Sequence, residues 1–260
     1  MYKMNKGVMK SVYLFATAAL LLLCGATAHA APLTVAVAAN VKYAFDDLAV
    51  EFKKETGIEV QGVFASTGKI TSQVKSGAPF DAFLSADNES PELLYKEGLA
   101  VTKPKVYAYG VLVLWTTKEL DLSRGLSLLA EAKVQKVAIA NPKTAPYGRA
   151  AIQVLESAKL NATVEPKLVF GESITQATQY VDSGAADIGF IAKSIVIAPE
   201  MMGKGKWIEL PKGSYEPIAQ SVVVLKHGAE TQSESARKFV DFLFTPKARA
   251  IFEKYGYVLQ

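Results

Sequence analysis

The feature that most restricts the fold of this chain is an alternation of short apolar runs with amphipathic helical stretches. Residues 33–38 (Leu-Thr-Val-Ala-Val-Ala) read as a first strand, after which Phe45, Leu48, Ala49 and Phe52 recur at helical spacing up to Gly57. Residues 58–64 alternate as a second strand. Ile70 and Val74 mark a helix stopped by Gly77-Ala78-Pro79, residues 80–84 form a buried strand, and residues 91–98 a further helix. The pattern restarts after Pro104. Residues 107–115 and 218–225 are two long apolar strands able to cross between lobes. Between them lie buried strands at 137–140, 168–170 and 187–191, with helices near 147–158 and around Ile174, Ala177 and Tyr180. Two helices near 236–244 and 246–255 end the chain. Strands and helices in strict alternation predict an α/β fold with mostly parallel sheets. The restart predicts two lobes: residues 31–108 with 227–260 returning to them, and residues 109–226 inserted between.

The first thirty residues read as a signal peptide. Lys3, Lys6 and Lys10 supply the positive start, residues 12–24 an apolar stretch too short for a convincing membrane span, and Ala28-His29-Ala30 a small-x-small cleavage site. The expected location is therefore the periplasm, with lipid anchoring at Cys24 the lesser alternative because Leu23 precedes it. Removing three lysines leaves 26 basic residues (29 minus 3) against 25 acidic ones. No basic run or aromatic-interleaved stripe points to nucleic acid. Cys24 and His29 leave with the leader, so the mature chain has no cysteine and only His227. That excludes disulfides, most catalytic triads and histidine-based zinc sites. No nucleophile is set beside a base, so no catalytic residue, no cofactor and no direct protein–metal ligand is expected.

Four segments share one design, in which a strand ends, small or hydroxyl residues follow, and a helix begins. They are Ala38-Ala39-Asn40-Val41, Ala65-Ser66-Thr67-Gly68-Lys69, Ala145-Pro146-Tyr147-Gly148 and Glu172-Ser173-Ile174. A helix start leaves backbone N–H groups unpaired and carries partial positive charge, so it can hold an anion. Ligands of open α/β sheets also collect at the carboxyl ends of strands. The competing reading is ordinary helix capping, since Asn, Ser and Thr are the usual N-cap residues; the pattern alone leaves the two open. Ser66-Thr67-Gly68-Lys69 lacks the upstream glycine and the following Ser or Thr of a nucleotide phosphate loop. Asp46-Asp47 is expected on a solvated helix face, Asp81 and Asp187 in structural hydrogen bonds, Lys69 and Arg149 as solvated side chains, and Trp115 and Trp207 in packing.

At these same turns the chain resembles the periplasmic molybdate-binding proteins of ABC-type importers. The matches are Val37-Ala38-Ala39-Asn40, Phe64-Ala65-Ser66-Thr67-Gly68-Lys69, Gly77-Ala78-Pro79-Phe80-Asp81 and Leu84-Ser85-Ala86-Asp87. Further along come Ala140-Asn141-Pro142, Ala145-Pro146-Tyr147-Gly148, Ser183-Gly184-Ala185-Ala186-Asp187-Ile188-Gly189-Phe190 and Tyr255-Gly256-Tyr257. The ordered set spans essentially the whole mature chain. The resemblance implies a type II periplasmic binding-protein fold, with two crossing hinge strands and molybdate or tungstate held in the interlobe cleft by neutral donors. Carried over, the ligand positions are Ala39 and Asn40, Thr67 with Ser66 beside it, Tyr147, and Ile174 through its backbone N–H. Two departures bear on the donor count. Asn40, whose amide is expected to donate to the ligand in the cleft, stands where many members have serine, and Ala192 where some have a binding tyrosine, a hydroxyl that Tyr147 can supply. Ala39 offers only its backbone.

The resemblance also implies delivery of the oxyanion to an inner-membrane permease, and a monomer is expected for want of any contrary signal in the sequence. Molybdate carries no proton at neutral pH and needs donors only, whereas phosphate is partly protonated and wants an acceptor carboxylate, which none of these positions has. Sulfate, fully ionised as well, is separable only by size. Sulfate or thiosulfate is therefore the alternative ligand. A transferase on the same frame or a regulator's sensor domain fits less well, because no catalytic set and no helix-turn-helix segment is present.

Overall fold

A computed structural model of the chain describes residues 31–259; the expected signal peptide at 1–30, with Cys24, lies outside them. Two five-stranded sheets organise the molecule. In the first, β1 (Leu33–Ala38) lies between β2 (Val60–Ala65) and β3 (Ala82–Leu84) and is parallel to both. β10 (Ile218–Val224) then pairs antiparallel with β3 and with β4 (Lys105–Gly110). In the second, β6 (Val137–Ala140) lies between β7 (Leu168–Gly171) and β8 (Ile188–Ala192), again parallel to both. β5 (Leu112–Thr116) pairs antiparallel with β8 and with β9 (Lys206–Glu209). The two sheets thus repeat one plan: a parallel triplet, an antiparallel fourth strand and an outer edge strand.

The expected two-lobed α/β architecture is the one observed, and the crossings between lobes refine it. Residues 107–115 are not one strand but parts of β4 and β5, separated at Val111, each in its own sheet. Residues 218–225, expected to carry the chain back across the hinge, instead lie wholly within the first sheet, because β3 and β4 take up both edges of β10. The return is made before it, between β9 and β10. Each crossing therefore leaves an outer strand of one sheet and enters the fourth position of the other. β9 and a short helix at Lys226–Thr231 were not foreseen.

A 3-10 turn, Ala39–Val41, follows β1 and leads into α1 (Lys42–Thr56). Three further helices each start at the carboxyl end of a parallel strand. They are α2 (Thr67–Lys75) after β2, α3 (Pro146–Ser157) after β6, and α4 (Ile174–Asp182) after β7. β1, β5, β6 and β8 are almost entirely buried, which is why they read as continuous apolar runs. Phe45 and Phe52 of α1 pack edge-on against Phe239, fixing a C-terminal helix to the first lobe. Asp81 and Asp187 are structural, as expected. Asp81 accepts from the Thr34 N–H at 2.7 Å and pairs with His227 at 2.9 Å. Asp187 accepts from the Gln135 and Lys136 N–H groups at 2.7 and 2.8 Å and pairs with Lys118. Trp115 is buried in the core. Among the described residues no helix is long and apolar enough to cross a membrane.

Candidate functional site

All six residues singled out from sequence line one small pocket. It is bounded by Ala39, Asn40, Ser66 and Thr67 from the first lobe and by Tyr147 and Ile174 from the second. Ala38, Ala86, Ala145 and Pro146 complete the lining, which includes no charged side chain. The starts of α2, α3 and α4 meet here, so partial positive charge from three helices converges on an otherwise neutral, apolar-walled space. Thr67 and Ile174 open their helices and Tyr147 is the second residue of its own, so their N–H groups have no intrahelical acceptor.

The choice between capping and ligand binding differs from turn to turn. Ser173 caps in the ordinary way, accepting from the Gln176 N–H at 3.3 Å. Ser66 occupies the same N-cap position on α2 with extended backbone but makes no side-chain cap bond. Its Oγ is buried and has no hydrogen-bond partner among the described residues. Thr67 Oγ1 accepts from the Ala86 N–H at 3.1 Å. The Tyr147 hydroxyl accepts from Gln220 Nε2 at 3.1 Å and, weakly, from Asn40 Nδ2 at 3.5 Å. The described residues offer no acceptor to the hydroxyl protons of Ser66, Thr67 or Tyr147. Burial holds the Tyr147 hydroxyl well above the usual phenol range, so it remains a donor.

Asn40 behaves differently from the expectation that its amide faces the cavity. Its Nδ2 donates to Gln220 Oε1 at 2.9 Å and to the Tyr257 hydroxyl at 3.0 Å, so both amide protons have acceptors inside the protein. What remains for the cavity is its backbone N–H. The same residue ties the lobes together, because its carbonyl accepts from Ser194 Oγ at 2.9 Å and from Tyr257 at 3.0 Å.

Sequence reasoning missed this buried layer of Gln220, Tyr107 and Tyr257. The available signal was a glutamine and a serine inside an apolar strand, where the pairing of β10 with β4 shifts register between Gln220 and Ser221. Lys69 and Arg149 keep largely exposed side chains, as expected, and each is also paired. Lys69 pairs with Glu172 at 2.5 Å and Arg149 with Asp87 at 2.8 Å, each across the mouth of the cleft from one lobe to the other. Thr175 Oγ1 donates to the Ala39 carbonyl at 3.3 Å, and the Gly68 N–H to the Thr144 carbonyl at 2.8 Å, closing the same seam.

The chain matches the family model described as bacterial extracellular solute-binding protein over residues 33–258. It is 43% identical to the molybdate-binding protein ModA of Azotobacter vinelandii, covering 92% of this chain and 94% of that one. It is 41% identical to ModA of Rhodobacter capsulatus, covering 90% of each. Its fold superposes on the Azotobacter vinelandii periplasmic molybdate-binding protein with a TM-score of 0.81 and 37% identity, covering 88% of this chain and 99% of that one. The sulfate-binding protein SubI of Mycobacterium tuberculosis, at 15% identity and a TM-score of 0.74 over 87% of this chain and 86% of that one, shares the fold alone. With the two-lobed frame and the lining residues in place, the chain belongs to the bacterial extracellular solute-binding proteins, alongside the molybdate-binding members of that family.

Proposed function

We propose that this protein captures molybdate or tungstate in its interlobe cleft and presents it, outside the cytoplasm, to an ABC-type permease. The observation that carries this reading is the set of three hydroxyl protons, on Ser66, Thr67 and Tyr147, that find no acceptor among the described residues and border a cavity with no charged side chain. A fully ionised tetrahedral oxyanion is the complement of such a space, since every one of its oxygens accepts. Backbone N–H groups at Asn40, Thr67, Tyr147 and Ile174 add donors at helix starts. Hydrogen bonds to a charged partner contribute roughly 1.5–3 kcal/mol each, so about four of them reach the roughly 8 kcal/mol of a micromolar complex. The ligand itself supplies the only charge, and the reading requires neither a catalytic group nor a cofactor. The close molybdate-binding relatives favour molybdate over sulfate.

Calorimetric titration with molybdate, tungstate, sulfate and phosphate tests this. Molybdate and tungstate are expected to bind and the two smaller anions to bind far more weakly. Ser66→Ala provides the site control: its hydroxyl has no partner among the described residues, so ligand-free stability should hold while molybdate affinity falls by roughly tenfold or more. Binding of sulfate as tight as molybdate, or an unaltered affinity in Ser66→Ala, overturns the reading.

A further inference from the structure

Gln220 is wholly buried in β10, where it and the adjacent Ser221 are the polar residues of an apolar strand. A buried amide is costly unless its hydrogen bonds are made, and here both ends of the amide are satisfied, with the Tyr107 hydroxyl also within 3.1 Å of the Ser85 carbonyl. Oε1 accepts from the Tyr107 hydroxyl at 2.9 Å and from Asn40 Nδ2 at 2.9 Å. Turning the amide over would set its NH2 against the Asn40 NH2, donor against donor. Nε2 therefore faces Tyr147 and donates to its oxygen at 3.1 Å. A phenol oxygen that accepts in this way keeps its own proton for another partner, and the cavity is where that proton is left. The pair also lies against bare backbone. A Cβ on Gly110, at the end of β4, would stand 2.2 Å from the Tyr147 hydroxyl and 2.4 Å from Gln220 Nε2.

From this geometry we propose that Gln220 is a positioning residue for selectivity, holding the Tyr147 proton toward the cleft so that anions carrying their own proton are rejected. The proposal rests on the oxyanion reading above. Gln220 belongs to the first lobe and Tyr147 to the second, so the bond forms as the lobes meet and the polarity of the site is set by closure. Hydrogen phosphate and hydrogen arsenate each bring an O–H that needs an acceptor. A Tyr147 oxygen that already accepts from Gln220 at 3.1 Å and from Asn40 at 3.5 Å is occupied as an acceptor from inside the protein.

The experiment compares molybdate with hydrogen arsenate, a tetrahedral oxyanion of similar size, in mildly alkaline buffer where both are dianions. Affinities are measured calorimetrically for the parent, Gln220→Glu, Gln220→Met and Gly110→Ala. The carboxylate introduced by Gln220→Glu accepts the Tyr147 proton and turns the phenol lone pairs to the cavity. Its added charge penalises both dianions alike, so the affinity ratio isolates the reversed hydrogen bond. That ratio is expected to fall by about tenfold or more in Gln220→Glu. In Gln220→Met and Gly110→Ala, which remove or displace the amide without adding charge, it should fall less. If the buried carboxylate prevents folding, these two variants decide the matter. A ratio that stays within about twofold of the parent in every folded variant overturns the proposal and leaves the oxyanion reading standing. A parent that binds no molybdate overturns the reading itself.

Discussion

Gly68→Ala separates the contribution of cleft closure from that of the donors. Gly68 is the second residue of α2, and its N–H donates across the seam to the Thr144 carbonyl at 2.8 Å. A Cβ at this position would sit 3.0 Å from both the Thr144 Cα and its carbonyl oxygen, and 3.2 Å from the Thr144 Cβ. Two of those atoms are backbone, so the lobes must draw apart by a few tenths of an ångström. The interlobe hydrogen bond is weakened and the donors of the two lobes no longer converge. Loss of one such bond is worth roughly 0.5–1.5 kcal/mol net, which predicts a two- to twelvefold weaker molybdate complex. The ligand-free protein should move the other way. Alanine is favoured over glycine in a helix by up to about 1 kcal/mol, or about 2–4 °C in melting temperature for a domain of this size. Thermal unfolding without ligand and calorimetric titration with molybdate measure the two signs separately. Affinity equal to or better than the parent's, alongside a raised melting temperature, refutes the argument that Gly68 is there to let the lobes meet.

Asp187→Asn should destabilise the protein at neutral pH by about 1–3 kcal/mol in urea unfolding, because the carboxylate serves two backbone N–H groups and Lys118. Burial raises the pKa of Asp187, but the hydrogen bonds from Lys118, Lys136 and Gln135 outweigh it and leave the net value lowered. A depressed folded pKa gives stability that is present above the unfolded value and lost as pH falls through the folded one, so the gap between parent and variant should close below about pH 4; a gap independent of pH refutes the assignment. Arg149→Gln removes the Arg149–Asp87 pair across the cleft mouth, while Asp87 keeps the Ser90 N–H at 3.0 Å and Ser85 Oγ at 3.1 Å. Because the guanidinium is partly exposed, the expected effect is at most about 1 kcal/mol, seen as molybdate dissociating up to about fivefold faster in stopped flow with unchanged ligand-free stability. A dissociation rate equal to the parent's rules out a latch.

Most strands and helices and the four strand-to-helix turns were legible because each depends on local pattern: apolar period, turn chemistry and position at a strand's carboxyl end; the six lining residues within those turns were singled out by the resemblance to molybdate-binding proteins. What the sequence could not reveal depended on which elements become neighbours. Residues 218–225 carry the same apolar signature whether they cross a hinge or stay in one sheet, and only pairing with β3 and β4 decides it. Ser66 and Ser173 are the same residue type at the same helix position. One caps its helix and the other faces the cavity unpartnered, a difference set by where each hydroxyl points. Asn40 reads as a donor to any ligand until β10 brings Gln220, and the C-terminus brings Tyr257, within reach of its amide.

The division between a neutral cavity and a charged rim follows from what the site has to distinguish. A lysine or arginine placed about 4 Å from the ligand would add roughly 8 kcal/mol of attraction for any dianion, about 4 for each unit of its charge, sulfate and phosphate included, and so would strengthen binding without selecting. Here the cations near the cleft, Lys69 and Arg149, are each matched by a carboxylate from the opposite lobe. Discrimination is left to cavity size and to the direction in which protons point, which a rigid ring of hydroxyl and backbone donors can set and a mobile ammonium cannot. The same arrangement provides for release. Ala39, Asn40, Ser66 and Thr67 lie on one lobe, and Tyr147 and Ile174 on the other. Opening the seam withdraws part of the donor set in one step, and with no countercharge in the cavity lining the anion is free to leave.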